Sequence, residues 1–107
     1  MNKLMSVHET EDFIHNNECA MLYFSSVECS VCVSVWNQLQ NLLKSFPHIK
    51  VAKIEVPEVL EVTGEYSIFT VPVVVFFLEG REILRQGRFF NFNELEQKLS
   101  RYYQYCN

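Results

Sequence analysis

Residues 23–32 read "YFSSVECSVC". The stretch continues an apolar run that begins at Cys19, "CAMLYF", and ends in two cysteines separated by Ser30 and Val31. A run of that length without polar interruption suits a strand covered on both faces. Beyond it, Val31, Val35, Leu39, Leu42 and Phe46 recur at spacings of three and four, which predicts one buried face of a helix that Pro47 ends. Cys29 therefore falls where a buried strand gives way to a helix, near unpaired first-turn N–H groups and the positive end of the helix dipole. A thiolate is stabilised in that position, and Cys-X-X-Cys sulfurs there are acidic enough to be reactive at neutral pH. Cys32 lies one turn further on, towards the packed side, within reach of a mixed disulfide formed on Cys29.

Working outward, "KLMSV" predicts a short first strand, and Ser6 with Glu9 has capping-box spacing that opens a polar helix over residues 7–16, closed by Asn16-Asn17. "IKVAKIEV" reads as a strand, "EVLEVTGEY" as a short helix ending near Gly64, and "VVVFFL" (73–78) as a second fully buried strand. Glu79-Gly80 turns the chain into "REILRQGRFF", a charged edge strand, and a last helix spans about 93–105. This order predicts parallel crossover units followed by a hairpin: an α/β fold with a central mixed sheet, mainly parallel, and helices on both faces.

A chain of 107 residues with no Pro/Gly/Ser-rich linker predicts a single domain over 1–107. About half the residues are apolar, so a core can form without disulfide staples or structural metal. The net charge of -4 is scattered, with no basic patch for nucleic acid, and no apolar run is long enough to span a membrane. The N-terminal residues have neither the apolar core nor the cleavage site of a secretion signal, so a cytoplasmic location is expected. In that compartment a close cysteine pair is more often catalytic or metal-binding than structural.

Four landmarks in order resemble the thioredoxin family over almost the whole chain. "YFSSVECSVC" is similar to its strand and CxxC helix, and "VAKIEV" to the next strand with its lysine. "FTVPVVVFF" is similar to the segment with the cis-proline, and "LEGREI" with Gly87 to the terminal hairpin. The resemblance implies a thioredoxin fold and a thiol-disulfide oxidoreductase that exchanges disulfides with protein substrates. Cys29 would attack, Cys32 would resolve, and a thiol or disulfide reductase would regenerate the dithiol. It also implies a cis bond between Val71 and Pro72 close to Cys29, making these two residues substrate contacts. No cofactor and no metal are expected.

Departures from the family pattern mark the residues that tune the site. Glu28 replaces the usual tryptophan, and its charge opposes thiolate formation on Cys29. Tyr23 occupies the position of a buried aspartate thought to help deprotonate the second cysteine, so that acceptor is missing. Lys53, the usual partner of that aspartate, is expected to be solvated, with Glu55 or Glu28 as alternative partners. Ser30-Val31 replaces Gly-Pro and bears on the reduction potential, and Asn37 replaces a helix-kinking proline. These departures favour an alternative function, a thioredoxin-like protein-binding module with little or no redox turnover. A metal or iron-sulfur site shared between two Cys29/Cys32 pairs in a dimer is a third possibility. Elsewhere, Cys19 reads as a small buried hydrophobe and Cys106 as an exposed tail thiol. The three histidines have no ligand spacing, Trp36 reads as core, and "RYYQY" (101–105) as cover for the sheet.

Overall fold

The computed structural model describes residues 2–107. Among the described residues, five strands and four α-helices follow in the order β1 (Asn2–Lys3), α1 (Val7–Asn16), β2 (Cys19–Ser25), α2 (Ser30–Leu43), β3 (Lys50–Glu55), α3 (Glu61–Glu65), β4 (Val73–Leu78), β5 (Arg81–Gly87) and α4 (Phe92–Tyr103). A 3-10 turn, Val56–Glu58, links β3 to α3.

The sheet order is β1-β3-β2-β4-β5. β2, the strand of "CAMLYFS", lies at its centre and is buried at every position, as its unbroken apolar run requires. The sheet is mixed, but with fewer parallel pairs than the alternation of elements suggested. β1 and β2 run parallel to β3, whereas β4 runs antiparallel to both β2 and β5. A fully buried strand is apolar in either direction, so "VVVFFL" does not encode which way it runs.

Alternation along β2 divides the core. Ala20, Leu22 and Phe24 pack with Ile14 of α1 and Val62 of α3. Met21 and Tyr23 face the other way and pack with Trp36 and Leu39 of α2 and Leu95 and Leu99 of α4. The two-residue period thus assigns each helix pair to one sheet face and makes three layers.

Local chemistry sets the element ends. Ser6 Oγ accepts from the Glu9 N–H at 3.0 Å, while the Glu9 carboxylate accepts from the Met5 N–H at 2.8 Å, one residue earlier than a standard capping box. That commitment of Met5 and Ser6 to α1 limits β1 to two residues. Asn91 caps α4 by accepting from the Glu94 N–H at 2.9 Å. The β4–β5 hairpin turns through Glu79 and Gly80 at φ 51° and 84°, the left-handed pair that a two-residue hairpin favours.

Two details differ from the sequence expectation. α3 ends at Glu65, next to Gly64 as expected, but the left-handed residue that closes it is Ser67, φ 56°, rather than the glycine, with the Ile68 N–H donating to the Thr63 carbonyl at 3.0 Å. On α2 the buried face is Cys32, Trp36, Leu39 and Leu43, while Val31 is 57% exposed. Leu39 and Phe46 are buried and Val35 and Leu42 pack against the same core, so of the expected face only Val31 is displaced: the first turn presents it and Val33 to solvent beside the cysteines.

Candidate active site

The centre of the site is the junction between β2 and α2. Cys29 is the N-cap of α2, and no side chain caps the helix there. Cys29 and Cys32 are bonded as a disulfide with Cα atoms 5.3 Å apart. Cys29 is partly exposed, whereas Cys32 is buried at 3%. The Val71–Pro72 peptide bond is cis, and the Val71 carbonyl oxygen lies 4.0 Å from Cys29 Sγ. The structure thus brings Cys29, Cys32, Val71 and Pro72 together although 42 residues separate Cys29 from Val71. Gly87 pairs with Val73 just beyond the proline, and a Cβ on it would meet Val73 Cγ2 at 3.0 Å.

A chain with this junction matches the thioredoxin family model over residues 3–101. It is 44% identical to the thioredoxin-like protein YdfQ of Bacillus subtilis over 96% of this chain and 92% of that one. The chain belongs to the thioredoxin family. It is also 26% identical to a thioredoxin of Chlamydia pneumoniae, over 79% of this chain and 82% of that protein. Among solved structures, Fasciola hepatica thioredoxin superposes with a TM-score of 0.83 at 26% identity, covering 94% of this chain and 98% of that one. The fold is therefore a thioredoxin fold, and Cys29/Cys32 is its Cys-X-X-Cys redox pair. Family membership with the pair at bonding distance makes this chain a thiol-disulfide oxidoreductase.

Beneath the thioredoxin-family pair lies a polar cluster on the α2 face of the sheet. The Tyr23 hydroxyl donates to the Cys32 carbonyl, and its ring lies 5.0 Å from that of Trp36. Burial, with a smaller contribution from Glu55, pushes the Tyr23 phenol well above its ordinary range. Tyr23 is thus a neutral donor and accepts no proton from a thiol. Lys53 is not solvated as expected: Nζ lies 3.3 Å from Glu55 Oε1 and 5.5 Å from the centre of the Trp36 ring. Ser25 Oγ donates to the same Glu55 oxygen at 2.9 Å. Glu28, Ser30 and Val31 all reach the surface around the cysteines. Trp36 packs in the core at 6% exposure, as its spacing implied.

Sequence reasoning gave Glu55 only as one alternative partner of Lys53 and missed Ser25. Lys53 and Glu55 stand two apart on one strand, a spacing that puts both on one face and was readable in "VAKIEV". Also missed was the surface beside the cis bond, a groove of about 240 Å³ lined by residues including Ser26, Val56, Pro57, Ile68, Phe69 and Val71. Phe69 is 86% exposed at its rim.

The second correction concerns Cys19 and Cys106, which form a disulfide with Cα atoms 5.7 Å apart. Cys106 is buried rather than an exposed tail thiol. After α4 the chain turns through Tyr105 and Cys106, whose N–H groups bond to the Tyr102 and Tyr103 carbonyls, and Asn107 N–H donates to the Glu18 carboxylate at 3.1 Å. The tail is thereby folded back onto the start of β2. An even count of four cysteines was the available signal. No cluster of metal-ligating side chains occurs among the described residues.

Proposed function

We propose that this oxidoreductase acts on protein disulfides, with Cys29 as the attacking sulfur and Cys32 as the resolving one. The observation that carries the reading is the asymmetry of burial: Cys29 opens to solvent at an uncapped helix N-terminus, and Cys32 is enclosed beneath it. In the dithiol state, the first-turn N–H groups and the helix dipole stabilise a Cys29 thiolate, which attacks a substrate sulfur and forms a mixed disulfide. Cys32 then attacks Cys29 Sγ, closes the intramolecular disulfide and releases the substrate thiol. Electrons return through a separate thiol or disulfide reductase.

Val71 and Pro72 are the proposed substrate contacts. The cis bond supports this role because it leaves the Val71 backbone beside Cys29, available for pairing with an extended substrate segment. Exposed Phe69 and the adjoining groove suit an apolar residue next to the substrate cystine. Glu28 weakens the Cys29 thiolate, Ser30 and Val31 influence the reduction potential, and Tyr23 and Lys53 act on the pair from below.

We assign the protein to the cytosol, where thiol reductants are abundant. No helix is long and apolar enough to cross a membrane among the described residues. The Cys19–Cys106 bond points the other way, since cytosolic disulfides are rare, but its burial restricts reductant access. Alkylation of the protein directly in cells, read by mass, is expected to find Cys19 and Cys106 blocked and Cys29 free.

A Cys32→Ser variant tests the assigned roles. Incubated with a disulfide-containing protein, it should accumulate a mixed disulfide through Cys29, and Cys29→Ala should abolish reductase activity. Equal activity in Cys29→Ala and wild type would instead favour a binding module that does not turn over.

A further inference from the structure

Resolution requires a proton to leave Cys32, whose side chain is enclosed between α2 and the sheet, so water outside the fold cannot readily take it. Glu55 is the only buried carboxylate among the described residues, at 6% exposure. Burying a charge is costly unless it is paired, yet Glu55 is only half satisfied. Oε1 holds Lys53 and Ser25, while Oε2 is enclosed and has no hydrogen-bond partner, a state that calls for an explanation. Register places this carboxylate on the sheet face that α2 covers. Tyr23 pairs with Lys53 and Ser25 with Glu55 across β2 and β3, so all four side chains point to the α2 face. Tyr23 contacts the Cys32 carbonyl, and Ser25 lies two residues, about 6.6 Å, further along the same face.

We propose that Glu55 is the internal proton acceptor for Cys32, and that its unpartnered Oε2 is the atom that receives the proton. The inference rests on the exchange reading above. Cys29 thiolate attacks the substrate disulfide, forming the mixed disulfide and expelling the first substrate thiolate, which is protonated by water. Cys32 passes its proton to the Glu55 carboxylate. The resulting Cys32 thiolate attacks Cys29 Sγ, and the second substrate sulfur leaves with the electron pair and takes up the proton. Two electrons move from the cysteine pair to the substrate, and Glu55 returns to its carboxylate form.

The neighbouring groups fit this task. Tyr23 from β2 is neutral and donates, Lys53 from β3 is a cation, and Lys3 from β1 is within electrostatic reach of Glu55 while paired with Glu58 at 2.9 Å. From α2 the Trp36 ring lies over Lys53 at 5.5 Å and offers no carboxylate, while Glu58, paired with Lys3, and Glu28, before Cys29, are exposed.

The test follows both steps in one reaction. Reduced protein, with the Cys19–Cys106 bond verified intact by mass, is mixed with one equivalent of an aromatic disulfide whose thiolate is coloured. Cys29 attack releases the first equivalent of colour and Cys32 resolution the second. Glu55→Gln, nearly isosteric, should leave the first release within about twofold of wild type and slow the second about 100-fold, the lower range for loss of a general base. Its second release should rise about tenfold per pH unit, following direct ionisation of Cys32, where wild type is flatter. Glu55→Asp, which keeps the carboxylate at shorter reach, should give a second release between the rates of wild type and Glu55→Gln. A wild-type second release and pH profile in Glu55→Gln would overturn the proposal. If that variant does not fold, Glu55→Asp decides: its shorter reach should slow only the second release, and no change would overturn the proposal. Failure of the exchange reading is distinguishable, because wild type itself would then release no second equivalent.

Discussion

At the residue scale, the site combines a donor that stays neutral with an ion pair between a half-buried lysine, Lys53, and a buried carboxylate, Glu55. Tyr23 supplies a fixed hydroxyl to the Cys32 carbonyl, so Tyr23→Phe should cost about 1 kcal/mol at neutral pH by losing that bond. The folded state holds the phenol above its ordinary value of 10.0, so it binds the proton more tightly than the unfolded chain. That contribution is fully present below about pH 10 and is lost as pH rises towards the folded value. Denaturant titrations should therefore show wild type losing stability more steeply than Tyr23→Phe above about pH 10. The sequence made Tyr23, Lys53 and the cysteines legible as site residues because each occupies a patterned position. The shared face of Lys53 and Glu55 was legible from their spacing, but which partner Lys53 takes was not, because a lysine on a strand can extend to solvent or fold over a ring, and Trp36 is supplied by a different element.

At the element scale, capping and periodicity explain both the successes and the shifts. Ser6 and Glu9 mark α1 correctly, and the apolar runs identify β2 and β4 as central strands, but strand direction and the exact buried face of α2 depend on tertiary packing. α3 ends at Glu65, beside its glycine, but a Schellman-type cap places Ser67, rather than Gly64, in the left-handed region. A non-glycine residue pays a steric cost there, so Ser67→Gly should raise stability by about 1 kcal/mol, measured as a higher thermal midpoint. Arg85 holds the same turn by donating to the Tyr66 and Ser67 carbonyls at 3.0 and 3.2 Å, so the gain should persist without rearrangement of the loop before Val71.

At the scale of the whole molecule, the two disulfides have separate tasks. Cys29–Cys32 closes a short loop at the site, whereas Cys19–Cys106 spans 87 residues and ties the last residues to the central strand. Chain entropy for a loop of that length is worth about 4–5 kcal/mol, so Cys106→Ser should lower unfolding free energy by up to that amount while disulfide exchange is retained. Composition had indicated that a core could form without staples, yet Cys19 and Cys106 belong to one of the two core clusters; the staple was hidden because cysteine spacing along the chain does not reveal which ends meet. The most direct test of the account is a redox titration of the protein with thiol trapping and mass assignment of each cysteine. A single reversible two-electron couple carried by Cys29 and Cys32, with Cys19–Cys106 closed throughout its range, is the predicted result. Absence of a reversible couple at Cys29 and Cys32, or a couple carried by Cys19 and Cys106 instead, would contradict it.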